Sequence, residues 1–148
     1  MNSKVNQITK FSVFLIIFIL FIALLYLLIG YPNSYSSDKA LAQGYIIGGA
    51  GGGNEERLYE FLDHIEQKQP DDIRIASYGK EGQLTFIDLS YNGQTIRYQA
   101  KEHKIFGKVR QGEYTGIMKD TNQKLTNYTL TDETGSYEDR WFYQSVSR

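Results

Sequence analysis

Four aromatic residues could carry recognition chemistry: Tyr114, Tyr128, Trp141 and Tyr143. Flat rings gathered on one surface could stack on sugar rings, so these residues are the candidate interaction site for a wall polymer or small ligand. Residues suited to catalysis are sparse. His64 adjoins Asp63, but neighbours on a helix point about 100° apart and do not face each other. It reads as a boundary histidine. His103 stands in the charged segment Lys101-Glu102-His103-Lys104 and reads as solvated. Asp88 falls within a strand pattern, and one acid does not supply the carboxylate pair that glycoside hydrolysis needs. Asp120 and Asn122 begin like a calcium loop, but Leu125 stands where the loop's glycine belongs.

Absences narrow the chemistry further. The chain has no cysteine, which removes thiolate metal sites, cysteine nucleophiles and disulfides. The run Gly48-Gly49-Ala50-Gly51-Gly52-Gly53 precedes a helical pattern and could be a phosphate cradle. No Lys-Ser or Lys-Thr follows it, and Asn54 stands where a dinucleotide motif needs its third glycine. The expectation is a protein that is not an enzyme, with no cofactor, no metal and no nucleotide.

The elements that must position these residues follow from periodicity. Asn54 to Gln67 reads as a helix, with Asn54 as N-cap and Leu58, Phe61, Leu62 and Ile65 in one apolar stripe. Pro70 ends it. Ile73–Tyr78, Gln83–Tyr91 and Gln94–Ala100 alternate as strands. Asn92-Gly93 is a hairpin signal that predicts a two-residue loop, pairing Tyr91 with Gln94 and Leu89 with Ile96. That places Ile87, Leu89, Tyr91, Ile96 and Tyr98 on one face beneath the helix. Bringing Ile73 and Ile75 to the same face needs a three-residue loop or a bulge in the first hairpin. Glu113–Lys119 and Lys124–Thr131 read as further strands, and Arg140–Val146 as a closing strand or surface patch.

Ahead of this domain lies Phe11–Ile29, nineteen uncharged residues of which sixteen are Phe, Leu, Ile or Val. As a helix it would rise roughly 28 Å, close to the roughly 30 Å of a bilayer's hydrocarbon core. It is therefore expected to be a transmembrane helix. Lys4 and Lys10 precede it, which puts residues 1–10 in the cytoplasm and the remainder outside. The alternative is a signal peptide cleaved after Ser36, leaving a secreted domain. Residues 30–53 read as a flexible linker and 54–148 as the extracytoplasmic domain, with Tyr45-Ile46-Ile47 a possible short edge strand. All seventeen acidic residues follow the apolar run, against fourteen of the sixteen Lys and Arg. A domain of this charge is not a nucleic-acid binder. The expected fold class is α+β: an N-terminal transmembrane helix, then one helix packed on an antiparallel sheet of about 4–6 strands.

The segments RLYEFLDHIEQ, DDIRIASYGKEGQLTFIDLSYNGQTIRYQ, KVRQGEYTGI and NYTLTD occur in an order that resembles a family of small Gram-positive, Bacillus-type lipoproteins classed as a domain of unknown function. The resemblance covers Asn54 to Asp132. It implies an outside location and no established activity. Family members carry a lipobox cysteine, and here Tyr31 holds the corresponding place. The expected partners are a membrane, through residues 11–29, and an envelope protein. The expected function is a membrane-anchored interaction or regulatory module of the bacterial cell envelope, with a polymer-binding domain as the alternative.

Overall fold

The computed structural model describes residues 2–30, 35–49, 52–80, 82–104, 107–122 and 124–146, and within the first helix the side chains of residues 11–25. The chain divides into two units, Met1–Ser34 and Tyr35–Arg148.

The first unit is helix α1 (Asn2–Gly30). Every described side chain on it is exposed. Among the described residues no helix is long and apolar enough to cross a membrane, so the expected transmembrane helix does not belong to the observed fold. Tyr31, Pro32 and Ser34, on which the lipobox and cleavage readings bear, lie outside the described residues.

The second unit is mostly sheet rather than one helix on one antiparallel sheet. Its elements are α2 (Ser37–Ala42), β1 (Ile46–Gly48), α3 (Glu55–Glu66), β2 (Asp71–Tyr78), β3 (Leu84–Tyr91), β4 (Ile96–Glu102), β5 (Val109–Tyr114), β6 (Gly116–Asn122), β7 (Leu125–Thr131) and β8 (Arg140–Val146). They form two sheets among the described residues, ordered β1-β2-β3-β4-β5 and β6-β7-β8. The first sheet is mixed, because β1 runs parallel to β2 while its other pairs are antiparallel.

The expected linker is partly built into this unit. Ser36 caps α2, its side chain accepting from the Lys39 amide at 3.3 Å. Ala40 is buried against Ile47, Ala76 and Leu84 in a small core of its own. Within the glycine-rich run, Gly49 is constrained. Gly49 has φ +104°, and a Cβ there would lie 2.7 Å from the Tyr78 carbonyl oxygen, so glycine is required.

Strand registers keep the expected faces by different loops. In β3–β4, Tyr91 pairs with Ile96 and Leu89 with Tyr98, so the loop holds four residues rather than two. Asn92 supports it, its Oδ1 accepting from the amides of Gln94 and Thr95, each at 2.9 Å. A shift of two residues leaves every side chain on its original face. In β2–β3, Ile75 pairs with Ile87, so a five-residue loop does what the expected bulge would have done. Gly82 supplies the positive φ of +76° in that loop.

The strand read as Glu113–Lys119 is broken at Thr115, where the chain leaves the first sheet and enters the second. Helix α3 closes over both sheets. Leu58 and Phe61 are fully buried, and share one core with Ile73, Ile75, Ile87, Leu89, Tyr98, Tyr128, Leu130, Phe142 and Tyr143. Each such side chain contributes roughly 1.5–3 kcal/mol of burial.

Candidate functional site

The inner face of the second sheet is graded along its strands. Lys119, Tyr128 and Tyr143 are cross-strand partners, and one step along lie Thr121, Thr126 and Ser145. The first row joins the core through its tyrosines; the second row carries only hydroxyls. Thr126 Oγ1 lies 3.2 Å from Thr121 Oγ1. Ser145 is 4% exposed as a residue, and its hydroxyl, which makes no hydrogen bond among the described residues, is not one of the fully buried unpartnered polar atoms, which are Arg57 Nη1 and Arg140 Nε.

Helix α3 does not cover this end of the sheet. A cleft of about 960 Å³ opens there. Glu55, Glu56 and Tyr59 of α3 form one wall, Gly49, Gly52 and Gly53 another, and Lys119, Thr126, Tyr128 and Ser145 the floor. A second hollow of about 290 Å³ lies along the helix beside Asp63, Glu66, Ile117 and Lys119. Both hollows include Tyr59, Lys119 and Tyr128, so they continue one another as a groove.

The core holds one wall of the cleft in place. Tyr143 Oη lies 3.2 Å from both the Ile47 carbonyl oxygen and Glu55 Oε1, and its single O–H is shared between these two acceptors. Burial, and then the Glu55 charge, push the Tyr143 phenol well above its usual range, so it stays a neutral donor. Asn54 is the N-cap residue of α3, but in a left-handed conformation (φ 59°) with no side-chain cap. The expected capping bond is absent.

The four aromatic candidates do not meet on one surface. Tyr114, Tyr128 and Tyr143 are buried. Tyr114 stands edge-on to Tyr98 at 6.1 Å, and Tyr128 lies 6.2 Å from Tyr143 between ring centroids. Trp141 alone is open, at 51%, and its strand partner Thr129 places it on the outer face. Phe142, its neighbour, completes the core. Half-buried strands favour tyrosine for packing, and that is the use made of it here.

His64 has a partner in the second element of the fold. Its Nδ1 lies 2.8 Å from Asp71 Oδ2, while Arg57 NH2 reaches Asp71 Oδ1 at 2.5 Å and the Asp72 carbonyl at 2.8 Å. Burial alone would raise the Asp71 carboxyl, but hydrogen bonds from Arg57 and His64 outweigh it and hold the group below its ordinary value. The cluster ties α3 to the start of β2, away from the cleft lining, and its role is structural. Asp88 is exposed on β3, flanked in register by Arg74 and Gln99, and does not line the cleft. Asp120 and Asn122 lie in strand β6, not in a loop. His103 joins a surface aromatic group, 5.5 Å from Phe86 and 5.9 Å from Tyr35.

A family model for a domain of unknown function, DUF4362, matches residues 45–129, more than half of the chain. The chain belongs to the DUF4362 family. No curated protein and no solved structure matches it. The DUF4362 match takes in β1, α3 and the strands through Thr129. It therefore includes Glu55, Glu56, Tyr59, Lys119, Thr126 and Tyr128 of the cleft, while β8 with Ser145 lies beyond it. Within the DUF4362 region the cleft was hidden from sequence reasoning by distance: its walls come from segments some seventy residues apart. The one local signal was the polar stripe of α3, Glu56, Tyr59, Asp63 and Glu66, at helical spacing on the flank of the apolar stripe.

Proposed function

We propose that this DUF4362 protein is a non-catalytic interaction module of the bacterial cell envelope, held at the membrane on its outer side through the apolar stretch 11–29. The observation that carries the interaction reading is the cleft between α3 and the second sheet, with the Ser145 hydroxyl, which makes no hydrogen bond among the described residues, in its floor. A ligand's polar group at the cleft would supply that hydroxyl with a partner. The open volume suits a protruding segment of a partner. Membrane association is supported by the exposed apolar side chains of α1, such as Phe11, Phe14, Ile17 and Phe21, because a contiguous apolar surface of this kind is covered by lipid or protein in the cell. The resemblance to small Gram-positive lipoproteins supports the outside location. The polymer-binding alternative loses its aromatic platform with the burial of Tyr114, Tyr128 and Tyr143.

The test is crosslinking in cells from a photoreactive residue at position 59, in the cleft, compared with one at position 97, where Arg97 is exposed on β4. One dominant envelope protein captured from position 59 and not from 97 is the expected result. Lipid neighbours alone, or the same proteins from both positions, would sink the reading. Recovery of the protein in the soluble fraction after cell lysis would remove the membrane part of it.

A further inference from the structure

We infer that the groove beside α3 takes a cationic polypeptide segment, with lysine or arginine side chains set against the helix. The inference rests on the interaction reading above and names the partner's chemistry.

The first observation is charge. Glu56, Tyr59, Asp63 and Glu66 follow each other at intervals of three, four and three residues and line the groove, so they form one stripe along α3. With Glu55, four carboxylates face a groove in which Lys119 is the one cationic lining residue among those described. A low-dielectric wall carrying one sign of charge concentrates the field on whatever enters. The second observation is independent of charge: Ser145 is 4% exposed as a residue, its hydroxyl makes no hydrogen bond among the described residues, and it lines the same cleft. It can accept a hydrogen bond from an ammonium or guanidinium group, which has donors to spare and no acceptor. The third is preorganisation. Glu55 is fixed from below by Tyr143, so its carboxylate is already placed when a cation arrives, and less ordering is needed on binding. Tyr59, at 43% exposure, adds a ring face for the same cation.

An extended chain matches the groove in length. The twelve residues of α3 rise about 18 Å, the span of about five or six residues of extended chain.

The test is titration calorimetry on the full-length chain in non-ionic detergent. The probes are a peptide of about six residues alternating lysine and serine, its glutamate-for-lysine counterpart, and spermine. Saturable binding of the lysine peptide is expected, weakening as salt rises from about 0.05 to 0.5 M. The double substitution Glu56→Gln with Glu66→Gln should weaken it about tenfold, and Ser145→Ala about threefold. Lys119→Glu should tighten it. Thermal melts of each variant establish that the fold is kept. Equal binding of the glutamate peptide, or no change in the double variant, overturns the inference. Spermine binding as tightly as the peptide overturns the polypeptide assignment. If no peptide binds while position 59 still crosslinks to a protein in cells, the cationic partner is wrong and the interaction reading stands. If both experiments fail, both fall.

Discussion

Asp71 shows how much of this fold depends on a contact that a local reading of the chain does not reveal. His64 stands next to Asp63 in sequence, yet its partner is Asp71, seven residues on and across a turn. Arg57 meets the same carboxylate, so one acid joins two turns of α3 to the first residue of β2. Asp71→Asn should cost about 1–3 kcal/mol at neutral pH, because it removes a charge-assisted bond at a largely buried position. For a domain of this size that is a fall in Tm of several degrees. The folded Asp71 pKa is depressed, so its stabilisation is complete above the unfolded value of about 3.9. It is lost as pH falls through the folded value. Thermal melts of both proteins from neutral to strongly acidic pH should therefore converge at the acid end. A gap that stays constant across the range would assign the effect to packing instead. Cleft residues have the same character as this cluster: Ser145 and Glu56 are unremarkable as letters, and acquire a setting only when β8 lies beside β7.

At the scale of elements, periodicity and turn chemistry made α3 and the pairing faces of β2, β3 and β4 legible, while loop lengths were not. Asn92-Gly93 signalled a hairpin correctly, but Asn92 builds its turn by accepting two backbone amides, which lengthens the loop. The faces survived because the register moved by two. The break at Thr115 had no such marker, since the residues around it suit a strand in either sheet. The end of α3 gives a sharper case. Lys68 has φ 56°, with its amide on the Ile65 carbonyl at 3.1 Å and the Gln69 amide on the His64 carbonyl at 2.8 Å. This is a helix stop in which glycine is the usual left-handed residue. Lys68→Gly relieves the strained conformation at some cost in unfolded-chain entropy, and the balance should stabilise the domain by about 0.5–1 kcal/mol. Urea unfolding would read this as a higher midpoint at unchanged slope. A lower midpoint would show that the lysine side chain contributes more than its backbone costs.

At the scale of the second unit, the fold leaves a cleft of about 960 Å³ beside α3 while it buries Tyr114, Tyr128 and Tyr143. Its two sheets share one core beneath α3, and the helix is too short to cover the hydroxyl row at the far end of the second sheet. Composition could exclude thiol chemistry, and the strand pattern could suggest a helix over a sheet. Neither could show two sheets, because the change of sheet is decided by long-range packing of Tyr128, Leu130, Phe142 and Tyr143 under Leu58 and Phe61. The proposed function requires a partner in the cleft where the protein works. The absence of cysteine allows a direct measurement: the rate of maleimide labelling of Tyr59→Cys, compared with Arg97→Cys, in intact cells and in the purified full-length protein. The cleft account predicts that Tyr59→Cys reacts much more slowly in cells than when purified, while Arg97→Cys keeps the same ratio as an unstructured thiol control. Equal protection at both positions, or none at either, would contradict it.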